Sequence, residues 1–397
     1  MAHIRKRFVE SHIREALRFS PLVGVLGIRQ VGKTTLAEGI LGKSYRTFDD
    51  EGQLSAASLS PSEYLKQFET PTVLDECQKV PALFPALKLR VQSCKKPGQF
   101  LLTGSVRFTS RKAIRESLTG RIHNIEVMPM TVAEMYQQPL NSPMKWLKWK
   151  HPKLQQHFDQ RLKWFSNSKI PLFLNHGGMP GICFLRKDGH RKAAFKTLLE
   201  TILQRDLQLI IQTSVPYSRL LELLRFISIH QGSRFIEKDA SRATGISVPT
   251  IGKLLSAFEG LFLIRRFSGS GDRSGDIFYF EDQGIASYLG TESIVSPEQR
   301  FAYSQLFSSM HYAEMSQMNM SYFETKGGAH IPFVFQVGDQ SIGFILNASE
   351  SLTSSTVKTI NSFQERFRHA TVFALSHCSQ VSQVSERAWR IPLAAIA

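Results

Sequence analysis

Between Gly27 and Thr35 the chain reads GIRQVGKTT, two glycines, a lysine and hydroxyls at the spacing G-x-x-x-x-G-K-[ST]. Residues at that spacing bind phosphate for a physical reason. The loop's amide N–H groups and the positive end of the helix that follows surround the anion, Lys33 reaches the β and γ oxygens, and the Thr34 hydroxyl ligates Mg²⁺. Gly27 and Gly32 allow backbone geometry that a Cβ would obstruct. The expected nucleotide-binding set is therefore Gly27, Arg29, Gln30, Val31, Gly32, Lys33, Thr34 and Thr35.

A phosphate cradle alone binds without hydrolysing. Hydrolysis also needs a carboxylate for the metal and a base for the attacking water. PTVLDECQKVP supplies both at the end of an apolar run, Asp75 joining Thr34 as the Mg²⁺ partner and Glu76 acting as the water activator. GQFLLTGSVRF then ends a strand, Phe100 to Leu102, in Thr103-Gly104-Ser105. A hydroxyl there, on a strand beside the one carrying Asp75, would feel the γ-phosphate; Ser105 is the candidate sensor and Thr103 the alternative. In RESLTGRIHNIEVMPM, Arg121 precedes another strand-like segment. An arginine so placed stabilises charge on a transferring phosphoryl group, from its own subunit or a neighbour's, or else binds a surface carboxylate.

These side chains can converge only if particular elements deliver them. Val23 to Leu26 reads as a short apolar strand, followed by the loop and a helix running on from Lys33. Strands ending at Asp75 and at Ser105 complete an α/β arrangement, a P-loop parallel sheet with helices on both faces, over residues 1–140.

Taken in order, GIRQVGKTTL, TFDDEGQL, TVLDECQKVPALFPALKLRVQ, GQFLLTGS, SLTGRI and MPMTVAEM resemble an AAA-type (AAA_14-like) P-loop ATPase domain. That domain belongs to a large prokaryotic family which joins it to a domain of unknown function numbered 4143 (DUF4143). The resemblance implies ATP as the nucleotide, and the guanine-reading Asn-Lys-x-Asp motif is absent.

Composition sets the outer bounds. At 397 residues, two or three domains are expected. No run approaches the roughly 18–20 apolar residues that span a bilayer, and the start, MAHIRKRFVESHIREAL, is charged where a signal peptide is apolar. A cytoplasmic protein with no membrane partner follows as the expectation. Cys77, Cys94, Cys183 and Cys378 lie too far apart to suggest a metal cage or disulfide framework. The net charge of +16 is uneven: residues 1–140 carry 20 Lys+Arg against 13 Asp+Glu (+7), residues 141–270 carry 21 against 8 (+13), and residues 271–397 carry 8 against 12 (−4). A basic middle beside an acidic end suggests a polyanion such as DNA, or a solvated surface that meets a protein partner.

That basic middle starts with a connector and helical segment, residues 141–215. NSPMKWLKWKHPKLQQHFDQRLKWF interleaves Trp146, Trp149 and Trp164 with basic residues. Such a pattern stacks on bases or, as more often, packs inward. NHGGMPGICF and LLETILQRDLQLI resemble segments of the same family, and the Arg205-Asp206 pair reads as a salt bridge rather than a catalytic pair. Residues 216–270 read as a winged helix-turn-helix. Leu220, Leu221, Leu224 and Ile227 mark a first helix, Ile236 to Ala243 a second, and Thr244-Gly245 the turn. Ser247 caps a third helix with Ile251, Leu254, Leu255 and Phe258 inward; LFLIRRF and FYFED form the wing. Ser247, Thr250, Lys253 and Ser256 would face outward, a sparsely charged surface suited to backbone contacts.

Residues 271–397 are expected to form an α+β restriction-endonuclease-like domain that has lost its acids. YFEDQG at 279–284 repeats the family's Tyr-Phe-x-Asp-x-Gly pattern. Where the family resemblance implies metal-holding acids and a lysine, this chain has His330, Pro332, Ile345 and Asn347. Without paired carboxylates a divalent ion has little to bind, so nuclease activity is not expected. The function that results is a Mg²⁺-dependent ATPase whose nucleotide state controls a basic winged-helix module. The rival is a nucleotide-gated sensor or scaffold with negligible hydrolysis. Oligomeric state stays open.

Overall fold

The computed structural model describes residues 5–42, 44–108, 120–272, 275–290, 292–315, 318–347 and 352–397. Ser117 to Thr119 of the SLTGRI segment, and Arg273 and Ser274 of the glycine-serine loop, lie outside the described residues. The chain divides into two compact units: residues 1–129, 179–217 and 249–264 form the first, and residues 130–178, 218–248 and 265–397 the second.

The first unit holds a five-stranded sheet in the order β2-β3-β4-β1-β5, where β1 is Leu22–Leu26, β2 Tyr45–Thr47, β3 Thr72–Asp75, β4 Phe100–Gly104 and β5 Ile122–Glu126. Every pairing in it is parallel. β1, β3 and β4 are buried along their full length, which explains their apolar character before the polar residues that end β3 and β4. The helix Val9–Phe19 packs on β1 and β5, and the helix Lys33–Leu41 on β3 and β4. This is the parallel α/β core of a P-loop NTPase. β4 lies between β1 and β3, so the loop after β1 and the acids ending β3 flank the hydroxyls ending β4.

The second unit is built on a mixed eight-stranded sheet, β12-β13-β11-β10-β9-β8-β6-β7. Its strands are β6 Ile264–Gly271, β7 Asp276–Phe280, β8 Met318–Glu324, β9 His330–Val337, β10 Gln340–Asn347, β11 Ala370–Ser376, β12 Ser382–Ser385 and β13 Ala388–Pro392. Side chains alternate across it as strand geometry requires. Ile345, Val372 and Ala374 join Phe363 and Ile360 of the helix Ser354–Arg366 in one core cluster. Phe344 and Phe373 instead meet Trp146 edge-on, with ring centroids 6.2 and 5.4 Å away. Trp146 is thus a core residue, its indole N–H donating to Asn141 Oδ1 at 3.1 Å.

Three expectations change here. Leu223, not Leu221, is the buried partner of Leu220, Leu224 and Ile227 on the helix Tyr217–Ile229. The strands expected as the wing, β6 and β7, do lie side by side, but as the edge of the C-terminal sheet: β6 also pairs in parallel with β8, Gly269 opposite Tyr322. The segment expected as one module over 216–270 is also divided. Glu237–Thr244 belongs to the second unit, whereas nearly all of Val248–Gly260 belongs to the first. There Arg107 fixes its end, donating from its backbone N–H to the Gly260 carbonyl at 2.8 Å and from Nε to the Glu259 carbonyl at 3.0 Å.

Two sequence motifs of the second unit find a common structural cause. The Asp282 carboxylate of YFEDQG caps the helix Gln283–Leu289, accepting from the Ile285 N–H at 3.0 Å, and accepts from the Gly178 N–H at 2.6 Å. The glycine pair of NHGGMPG is therefore held by the aspartate of the second motif.

Candidate functional site

β1 delivers the chain into the Gly27–Lys33 loop and the helix Lys33–Leu41 leaves it. Gly32 precedes that helix at φ 99, and a Cβ on Gly27 would lie 2.5 Å from the Val127 carbonyl. Gln30 also has positive φ, Val31 is buried and Thr35 is exposed. Arg7 braces the loop, Nη1 donating to the Val31 carbonyl at 3.0 Å and Nη2 to the Met128 carbonyl at 2.6 Å. No spacing in the sequence singles Arg7 out from its basic neighbours.

Lys33 is buried, and its ammonium donates to the carbonyls of Gly27 at 2.9 Å and Ile28 at 3.0 Å. It folds back onto its own loop. Burial pulls its pKa down to about 8, against the upward pull of Glu76 and Asp75.

Asp75 ends β3 at the centre of a hydroxyl cluster. Thr34 Oγ1 donates to its Oδ2 at 3.1 Å and the Tyr45 hydroxyl to the same oxygen at 2.5 Å, while Thr103 Oγ1 donates to Oδ1. The parallel register makes this possible, bringing β2 and β4 alongside β3 with Thr47 opposite Asp75 and Leu102 opposite Leu74. Tyr45 was not legible beforehand, because β2 is three residues long and lies 30 positions upstream. Thr34 and Asp75 offer hard oxygens within one pocket, and among the described residues no group of three or more His, Cys, Asp or Glu gathers to hold a metal. That donor set fits Mg²⁺, which takes one or two protein ligands with phosphate and water oxygens. Thr34 and Asp75 would hold it, and it would supply positive charge against the phosphates.

Glu76 follows in a left-handed conformation, φ 58 and ψ 41, unusual for a side-chain-bearing residue and typical of functional sites. Its N–H donates to Thr103 Oγ1 at 3.2 Å. Burial raises its carboxyl pKa, opposed by the charge of Lys33. The Gln78 amide links two candidates, donating to the Glu76 carboxylate and to Ser105 Oγ at 3.1 Å. Thr103 therefore touches Asp75 and Glu76 directly, while Ser105 is joined to Glu76 through Gln78. The signal for Gln78 was its place two residues after Glu76.

Arg121 is not in this cluster. β5 runs parallel to β1 with Leu22 opposite Ile122 and Leu26 opposite Glu126. Arg121 precedes β5 and so stands at the far end of the sheet, a full strand length or roughly 15 Å from its own loop. The same-subunit alternative for Arg121 is removed.

The Arg205-Asp206 pair is a salt bridge, Nε to Oδ1 at 3.1 Å, and Asp206 Oδ2 also lies 3.5 Å from Nη1 of Arg29 in the loop. In the second unit, His330 is exposed at the start of β9 and Ile345 is in the core. Asn347 is buried, donating to Ser376 Oγ at 3.2 Å and accepting from Thr356 Oγ1 at 3.3 Å. On Val248–Gly260 and its cap, Ser247, Lys253 and Ser256 are exposed and Thr250 half-buried. A groove of about 590 Å³ in the second unit is lined by Trp149, Lys150, His151, Arg387 and Trp389, among others.

Comparison with known proteins agrees with this geometry. Residues 20–136 match an AAA domain family. Residues 167–293 match a domain of unknown function, DUF8612, where the resemblance had implied DUF4143. Two curated relatives, the uncharacterized proteins Mb2031c of Mycobacterium bovis and Rv2008c of Mycobacterium tuberculosis, are each 26% identical over 296 residues. The matched region is 72% of this chain, and the chain spans 60% of the relatives' own length. Among solved structures, the Walker-type ATPase PABY2304 of Pyrococcus abyssi is 17% identical with a TM-score of 0.44, covering 72% of this chain and 96% of that one. PH0952 of Pyrococcus horikoshii, a signal transduction ATPase with a tetratricopeptide repeat sensor, is 13% identical with a TM-score of 0.26, covering 79% and 48%. The AAA-domain match thus falls on the part of the first unit that holds the parallel sheet and the phosphate loop. Among the described residues no helix is long and apolar enough to cross a membrane.

Proposed function

We propose that this chain is a Mg²⁺-dependent ATPase whose nucleotide state controls a partner-binding basic region. One observation carries the reading: Thr34 donates to Asp75 and the two acids are linked through Thr103, with Lys33 and Asp75 both buried. Lys33 exchanges its loop carbonyls for phosphate oxygens. Thr34 and Asp75 hold the metal, and Glu76, its carboxyl already lifted by burial, takes a proton from the attacking water. Ser105 and Thr103 report the γ-phosphate to Glu76 and Asp75, and Arg121 serves a neighbouring subunit's site. Phosphate release by the purified protein tests this. Glu76→Gln should lower turnover at least about 100-fold while nucleotide still binds, since base catalysis contributes on that scale. Turnover unchanged by Glu76→Gln removes the mechanism; binding without turnover in the wild type favours the sensor or scaffold.

For the partner, the groove favours nucleic acid. Trp149 and Trp389 line it half-buried, Trp149 with Lys153 over its ring, and Lys150 and Arg387 offer charge for phosphates beside the acid Glu386. The exposed face of Val248–Gly260, including Lys253, adds little charge by comparison. DNA binding by this region must weaken steeply as salt rises. Absence of binding even at low salt assigns the basic surface to a protein.

A further inference from the structure

Arg29 sets a permanent cation between the two glycines of GIRQVGK. Its guanidinium is turned toward Asp206, 3.5 Å away, whose side chain is 2% exposed. Asp206 ends a π-helical turn, Ile202–Asp206, that follows the α-helix Asp188–Thr201 and leads into a 3₁₀ turn, Leu207–Leu209. Such turns are rare and concentrate at functional sites. The wider turn changes the direction in which residues after Thr201 project, and here it brings a buried carboxylate to the loop.

A second observation makes the contact exchangeable. Asp206 is shared: Oδ1 accepts from Arg205 Nε at 3.1 Å while Oδ2 faces Arg29. Arg29 can therefore leave without stranding a buried charge, which would otherwise be strongly unfavourable. Arg29 also stands four residues before Lys33 in the same loop, on the side from which the phosphates would be held.

We propose that Arg29 binds the terminal phosphate of a nucleoside triphosphate, and that Asp206 is a positioning residue that latches Arg29 while the site is empty. The inference rests on the triphosphate reading of the loop and adds to it a residue that separates triphosphate from diphosphate. A γ-phosphate outcompetes the carboxylate for the guanidinium; a diphosphate does not extend far enough to do so. Loading with triphosphate then frees Asp206 and the segment that carries it.

The test is equilibrium binding of MgADP and of the Mg²⁺ complex of the β,γ-imido ATP analogue to the full chain. Arg29→Gln should leave MgADP affinity within about twofold and weaken the analogue about 10- to 100-fold, the worth of a charge-assisted hydrogen bond. Asp206→Asn should tighten the analogue several-fold with MgADP unchanged, because the latched population is removed. An Arg29→Gln protein that loses both nucleotides equally, or neither, overturns the proposal while leaving the loop reading intact. A wild type that binds neither nucleotide overturns the loop reading and this one with it. If Asp206→Asn does not fold, Arg29→Gln still decides, since its retained MgADP affinity reports an intact site.

Discussion

Burial pulls the Lys33 ammonium down to about 8, whereas an unfolded lysine holds its proton to about 10.4. Between those values the unfolded chain binds the proton that the folded chain has lost, so the stability of the empty protein rises across this window as pH increases. Nucleotide binding moves in the opposite direction, because the phosphates require the charged form. MgATP affinity should be flat below pH 8 and fall by up to about tenfold per pH unit above it, with proton uptake on binding. Calorimetry at pH 8.5 in two buffers of different ionisation enthalpy measures that uptake, and Lys33→Arg should abolish the inflection. An affinity that stays constant to pH 9.5 would show that Lys33 does not meet the phosphates.

At the scale of elements, Gly177 caps the C-terminal end of the helix Ile170–His176 at φ 68, and a Cβ there would lie 2.3 Å from Asp282 Oδ1. Gly177→Ala should destabilise the protein by about 2–4 kcal/mol, combining the left-handed backbone cost with displacement of a buried carboxylate. A melting curve indistinguishable from wild type would remove the role assigned to the Asp282 link. This link also shows what the sequence could and could not disclose. NHGGMPG and YFEDQG were visible as motifs, but their meeting was not, because nothing local to either segment encodes a partner a hundred residues away. The loop, Asp75 and Glu76 were legible because strand, turn and helix each leave their own periodicity and punctuation around them. Arg7 and Tyr45 left no such mark, since each reaches the site through tertiary packing alone, and the visible Arg205-Asp206 pair gave no sign of its contact with Arg29. The wing shows a related limit. The apolar residues of LFLIRRF and FYFED predict two adjacent strands correctly but do not say which sheet will recruit them, and here β8 pairs with the end of β6.

At the scale of the whole molecule, the position of Arg121 makes assembly a requirement of its proposed role. Parallel register puts it at the opposite end of β5 from the subunit's own loop, so any contact it makes with a transferring phosphate must be with another copy. Activity per subunit should then rise with protein concentration, and solution mass should increase on adding MgATP. Arg121→Ala should lower turnover at least about 100-fold while leaving MgADP affinity unchanged, the signature of an arginine supplied in trans. Mixing variants gives the sharper measurement. A Lys33→Ala subunit cannot hold ATP but still offers Arg121; an Arg121→Ala subunit holds ATP but offers no arginine. Each alone should be inactive, whereas a mixed assembly contains intact sites at the junctions where the two meet correctly. Activity of the mixture well above the sum of its parts is the expected result. A mixture that never exceeds that sum, in a protein whose wild-type activity is independent of concentration, would place Arg121 on a surface carboxylate and leave the pocket to work with the residues of one chain.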